Sequence, residues 1–320
     1  MFKAVDLWSC GYRIATNKRT TRFGEWLSNP LRLMVRLARK FHHDPTVRVP
    51  ISGKPLLIPW SHNLPQILAD FPYYESEIGR LAAYLHRIDD HLCMIDIGAN
   101  IGDTLAILPP LKRSRFLCVE GSQRYFDLLR RNYVGDRRVT PVLALLGDGT
   151  VQAAAGRVVE TGGTGHVCHA ASNSPVDWKS LDQLLNEHAE FKRANFLKID
   201  TDGYDLHVLH GATSLLQDAH PCLHIEFSPR HWRDYGGNTV QEGLEFLAAF
   251  DYRQMIIYDN QGVLIDRDTT STPRFIPLLT DYALRKPGFY LNIVAFHSSR
   301  TDADVFYRDE LAAPPIRAAK

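Results

Sequence analysis

The sequence is short of the features that assign a function at a glance. No apolar run approaches the roughly 18 residues that span a membrane as a helix, and the first residues lack the hydrophobic core of a secretory signal. A cytoplasmic protein is expected. The five cysteines, Cys10, Cys93, Cys118, Cys168 and Cys222, show no C-x-x-C spacing, which argues against a thiolate metal site and for a reduced compartment. Neither sign of charge prevails: the formal net charge is +1, so no general attraction to nucleic acid follows. What remains is 320 residues at 45% hydrophobic content, enough to bury a full core as one large domain or as one domain with an appendage.

The rest of the chain is organised around MIDIGANIGDT, residues 94–104. Residues 93–97 are apolar except for Asp96, as suits a central parallel strand ending at Gly98. Gly98 and Gly102 permit a sharp turn with no Cβ between backbone and ligand, Ala99 and Asn100 lie within it, and Asp103 and Thr104 can cap the helix that follows. The helix N-terminus would face whatever sits over the turn. About 20 residues on, the apolar run 116–119 ends in Glu120, at the place where an acid accepts both hydroxyls of a ribose. Asn100 stands where G-x-G-x-x-G has its second glycine, which disfavours close approach of a pyrophosphate and points to a nucleoside ligand without one.

Further segments carry a resemblance: ALLGDGTV (144–151), SLDQLL (180–185), FLKIDTDGYDLHVLHGA (196–212), HIEFSP (224–229) and FYLNIVAF (289–296). With residues 94–104 they resemble the FkbM family of class I methyltransferases dependent on S-adenosylmethionine (SAM), over about residues 90–297. The family usually has Glu where this chain has Asp202, which keeps the charge and shortens the reach. The resemblance implies a SAM site in which Asp96, Gly98, Ala99, Asn100, Gly102, Thr104 and Glu120 hold the ribose and amino-acid end. Leu145 then lies by the adenine, with Asp148 either accepting from its amine or serving as a turn residue. It also implies O-methylation of a hydroxyl on a sugar, glycan or secondary metabolite, as in polysaccharide biosynthesis.

The expected fold is α/β: a seven-stranded, mostly parallel, Rossmann-like sheet with helices on both faces and an N-terminal extension. Its strands are read at 93–97, 116–119, 139–146, 196–199, 222–227, 253–259 and 291–296, and a continuous helix at 204–216. Residues 1–89 form a basic helical and extended segment that could cap the substrate, with Trp60, His62, Tyr73 and Tyr74 as contacts; 90–297 form the catalytic domain; 298–320 are loosely held. Residues 26–41 could form an amphipathic basic helix that either packs on its own domain or lies on an anionic membrane surface. Residues 151–176, rich in glycine, could be a hairpin or a flap, and 269–284 would pack outside the sheet.

Asp200, at the end of the fourth strand, and Asp202 just after it should reach the crevice with Glu226 of the fifth, whose carboxylate cannot be buried in an apolar strand without a partner. His224, two residues before Glu226, shares its face. Asp200, aided by Asp202 or Glu226, is expected to orient or deprotonate an acceptor hydroxyl, with His224 as the alternative base. His166 and His169 flank Cys168 with no second ligand cluster, so no metal site is assigned there. Carboxylates at two strand ends leave a divalent cation open. The rivals are an NAD(P)-dependent oxidoreductase and a non-catalytic module that keeps the fold for binding. The acceptor is a small molecule or saccharide.

Overall fold

A computed structural model describes residues 44–149, 156–161, 163–169 and 178–313. The expected helix at 26–41, and with it the membrane-surface reading, lies outside these residues. Among the described residues no helix is long and apolar enough to cross a membrane.

The chain opens with a hairpin, β1 (Thr46–Ile51) and β2 (Lys54–Pro59), closed by Ser52 and Gly53, both at positive φ as a type I′ turn requires. Next come β3 (Leu92–Ile97), β4 (Ser114–Glu120), β5 (Val139–Leu143), β6 (Leu145–Leu146), β7 (Gly156–Thr161) and β8 (Thr164–His169). They are followed by β9 (Trp178–Lys179), β10 (Phe196–Ile199), β11 (Cys222–Phe227), β12 (Tyr252–Asp259), β13 (Leu264–Thr269) and β14 (Leu291–His297).

The main sheet runs β13-β12-β14-β11-β10-β3-β4-β5, with the five strands from β11 to β5 parallel and β14 antiparallel to both its neighbours. It has eight strands, not the seven expected. The additional strand is β13, which folds back on β12 through Asn260, Gln261 and Gly262. Gly262 supplies a φ of +81°, and Asp259 accepts the N–H groups of Gln261 and Val263 to hold the turn. Strand order reverses between β3 and β10, because β4 and β5 follow on one side and β11 on the other. Ligands of open α/β sheets sit at such a reversal, outside the carboxyl ends of the strands.

All six residues of β3 are buried, since the sheet is covered on both faces. Ile95, Leu117, Leu197 and Ile225 face the helices Leu181–Glu187 and Asp205–His210, while Met94, Phe116 and Phe196 pack against Ser76–Asp89 on the other side. The β1-β2 hairpin joins the core through Val47, Ile58 and Trp60 against Ile101, Tyr125 and Leu128. Residues 298–313, expected as part of a loose tail, include the helix Ala303–Ala312, which buries Phe306 and pins Glu310 to Arg80 at 2.6 Å and 2.7 Å. The continuous helix expected at 204–216 is two, Asp205–His210 and Thr213–Asp218. Gly211 between them lies so close to Gly147 that a Cβ would stand 2.0 Å from its carbonyl oxygen.

Candidate active site

Three strand ends converge because of one glycine. At Gly98 the chain leaves β3 with φ +79°, and a Cβ there would lie 1.8 Å from the carbonyl oxygen of Asp200. The N–H groups of Gly98 and Ala99 both donate to Val119 on β4. Asn100, also left-handed at φ +49°, donates its N–H to Glu120 Oε2 at 2.7 Å, and Ser122 donates to Oε1 at 2.6 Å. Two N–H groups therefore aim the Glu120 carboxylate. Burial nevertheless pushes it up to about 7, against the pull of those two bonds.

A cavity of about 350 Å³ opens above this junction, within the size range of small-molecule sites. Its walls bring together Gly98, Asn100, Thr104, Glu120, Leu145, Asp200, Asp202 and Glu226 of the residues expected from the sequence. The other five stand apart. Asp96 lies one layer down, fully buried, with Oδ1 3.4 Å from Lys198 Nζ. Ala99 is buried in the core, and Gly102 is backed by the Tyr133 ring, which a Cβ would meet at 2.4 Å. Asp148 faces His207 at 3.6 Å. His224 is 2% exposed and meets Glu77 Oε1 at 3.2 Å, so it belongs to a buried polar contact beneath the cavity.

Lys198 is the side chain that sequence reasoning passed over. It sits in β10 in register with Asp96 on one neighbour and His224 on the other, 2% exposed, with Nζ 3.1 Å from Asp200 Oδ2. Burial works to strip its proton, but Asp200 and Asp96 hold it firmly charged. Asp200 responds in kind: burial opposes its charge, yet Lys198 and a hydrogen bond from Glu226 keep it below the ordinary carboxylate range. Glu226 is pushed well above that range, by burial and then by the charge of Asp200. The two form a dyad in which Glu226 carries the proton and Asp200 the charge. The signal for Lys198 was present, since a charge inside an apolar strand needs a partner as much as Glu226 does.

Asp205 shapes the loop that presents these acids. Its buried carboxylate accepts from the N–H of Thr201 at 2.9 Å and of Gly203 at 3.1 Å, and from Trp232 Nε1 at 3.1 Å. Asp202 is thereby set in a left-handed conformation at φ +52° facing the cavity, and Tyr204 is the N-cap residue of the following helix. Opposite, β7 and β8 pair as a hairpin whose tip, Gly163, is a cavity wall. Asn100 Nδ2 donates to the Gly163 carbonyl at 2.5 Å, and the His62 ring lies so close that a Cβ on Gly163 would meet it at 2.8 Å. Of the aromatics expected from the N-terminal segment, His62 and Tyr74 line the cavity; Trp60 is core, and Tyr73 lines a separate hollow beside Arg80. Tyr290, which precedes β14, also lines the cavity without a warning in the sequence. The side chains of His166, Cys168 and His169 lie outside the described residues.

A family model for the methyltransferase FkbM domain matches residues 96–254, which contain the carboxyl ends of β3, β4, β10 and β11. Residues 96–254 thus form an FkbM methyltransferase domain. Among solved structures, the FkbM methyltransferase of Methylobacillus flagellatus KT is similar at TM-score 0.41 and 17% identity, over 90% of this chain and 58% of that one. This chain thus spans less than two thirds of that protein's length. A Bacillus cereus O-methyltransferase in complex with SAH is similar at TM-score 0.35 and 11% identity, over 92% of this chain and 100% of its own. TYW2 of M. jannaschii in complex with AdoMet gives TM-score 0.38 and 10% identity, over 79% and 86%. No curated protein sequence matches the chain.

Proposed function

We propose that this chain binds SAM in the cavity above Gly98 and transfers its methyl group to a hydroxyl of a sugar, glycan or secondary metabolite. The observation that carries the reading is charge. Glu75, Asp103, Glu120, Asp200, Asp202 and Glu226 line the cavity, and Lys198, already claimed by Asp96 and Asp200, is the one lysine or arginine among its described walls. Such a site favours a ligand that brings positive charge, as a sulfonium with an α-ammonium does, and among its described walls offers a pyrophosphate no cation that is not already paired. Glu120 is aimed to accept two ribose hydroxyls, Gly98 and Asn100 lie where the amino-acid end would rest, and Leu145 offers an apolar wall to the adenine.

Bound SAM supplies an electrophilic methyl group, displaced in line by the acceptor oxygen. The protein's share is to place that oxygen and take its proton. Asp200 is ionised and faces the cavity, so it can accept a hydrogen bond from the acceptor hydroxyl, and its dyad with Glu226 gives the departing proton somewhere to go. Asp202 stands beside the dyad as a further acceptor. The segment before β3 contributes His62 and Tyr74 to the walls, which accords with residues 1–89 capping the substrate. A cytoplasmic enzyme fits this reading.

Calorimetry of the purified chain should register heat with SAM and none with NADH. Incubation with host glycans or lipid-linked saccharides should then give a mass increase of one methyl that Asp200→Asn abolishes. Heat from NADH alone would establish the oxidoreductase instead, and SAM binding with no methylated product from host extract would favour a binding module.

A further inference from the structure

The cavity also brings together three potential metal ligands from different positions in the chain. Asp202 follows β10, Glu226 lies near the end of β11, and His231 closes the short helix Pro229–His231. His231 Nδ1 is 3.6 Å from Glu226 Oε1 and 4.0 Å from Asp202 Oδ1, and one ligand atom from each residue lies within 4.8 Å of the other two. Hard divalent cations hold oxygen and imidazole ligands at about 2.0–2.4 Å, so neighbouring ligands around one ion stand about 3 to 4.5 Å apart. The observed separations fall close to that range, and they exceed a direct hydrogen bond.

The backbone beneath the three is fastened from both sides. Trp232, next to His231, donates to Asp205 at 3.1 Å, and His207 meets the Gly236 carbonyl at 2.8 Å. Gly203 brings the loop of Asp202 against His231 so tightly that a Cβ would lie 2.5 Å from the His231 carbonyl oxygen. Fixing both loops to one another is the kind of support that orients metal ligands. All three residues are walls of the same cavity, and their side chains retain 17%, 11% and 30% exposure for Asp202, Glu226 and His231. Two carboxylates with one imidazole and no thiolate suit a divalent cation of the manganese class, which displaces the proton that Glu226 carries in its absence.

We infer that Asp202, Glu226 and His231 bind one divalent cation of this class in the cavity. The cation's role rests on the methyl-transfer reading above, while its binding does not. An acceptor hydroxyl drawn to the ion becomes more acidic, and the proton it sheds passes to Asp200. The O–H bond breaks, a carboxyl O–H forms, and the oxygen is left ready to displace the methyl group.

Electron paramagnetic resonance with Mn²⁺ tests this on the full chain after chelator treatment. One bound Mn²⁺ per chain is expected, with electron-spin-echo modulation from a single imidazole nitrogen, and His231→Ala and Asp202→Asn should each weaken binding at least tenfold. The nitrogen signal is read on the unaltered protein, so the test stands even where a variant fails to fold. Mn²⁺ bound without nitrogen coupling, or with unchanged affinity in both variants, overturns the site. Calorimetry with SAM on the metal-stripped chain separates the two claims. SAM heat with no Mn²⁺ uptake overturns the cation site and leaves the methyltransferase reading intact. Mn²⁺ uptake with the nitrogen signal but no SAM heat supports the cation site and removes the methyltransferase reading.

Discussion

Lys198 settles the charge of its neighbours, and its removal is the sharpest residue-level test. Lys198→Met would leave Asp96 buried without a counter-charge and let Asp200 rise toward protonation. Breaking a buried pair in this way costs about 3–5 kcal/mol, so urea unfolding should show a loss of that order. A loss below about 1 kcal/mol would mean that neither acid depends on the lysine. Glu120→Gln removes a charged acceptor from the proposed ribose site and should weaken SAM binding by about 10- to 100-fold, read by calorimetry. Gly98→Ala sets a methyl group against a backbone oxygen, a clash that no side-chain movement relieves, and should abolish SAM binding. Glu120 and Gly98 were legible in the sequence because spacing along one βαβ unit encodes them. Lys198 was legible only as a charge in an apolar strand, its partners being set by strand pairing, and His231 and Tyr290 gave no signal, since each meets the site through packing between segments far apart in the chain.

At the scale of elements, the β7-β8 hairpin meets the cavity at Gly163, where its described contacts lie. Asn100 and His62 grip that one residue, which itself needs φ +114°. Gly163→Ala should release the tip, and hydrogen exchange should then run at least tenfold faster across 156–169 while β3 and β10 keep their protection. Unchanged exchange in the hairpin would show that other contacts hold it. A glycine-rich stretch announced a hairpin or flap, but its destination depended on Asn100, whose own side chain is placed by the turn after Gly98. The edge strand β13 escaped detection for a related reason. Its sequence, LIDRDT, is half charged because only one neighbour and one face bury it, and it is recognised as a strand only once β12 lies beside it.

For the molecule as a whole, gathering acids around one cavity makes stability depend on pH. Glu120 titrates at about 7 when folded against 4.5 ordinarily, so between those values the folded chain holds a proton that the unfolded chain has released. Its contribution is intact below about 4.5 and is lost as pH rises through 7, a change on the order of 3 kcal/mol. Asp205, raised by burial to about 6, acts in the same sense. The melting temperature should therefore fall from pH 5 to pH 8, less steeply in Glu120→Gln, and SAM should restore more of it at pH 8 than at pH 5. An equal slope in the variant would show that Glu120 is not responsible. The sequence by itself determined the parallel core of the sheet, the turn at Gly98, the acid at Glu120 and the family, because apolar runs, glycines and an acid at a set distance act locally along the chain. Only the tertiary structure decided that Lys198 neutralises Asp200, that His224 turns to Glu77 while His231 faces the cavity, and that an eighth strand closes the sheet. Each of these follows from which strands and loops lie side by side, and side-chain charge and direction answer to those neighbours.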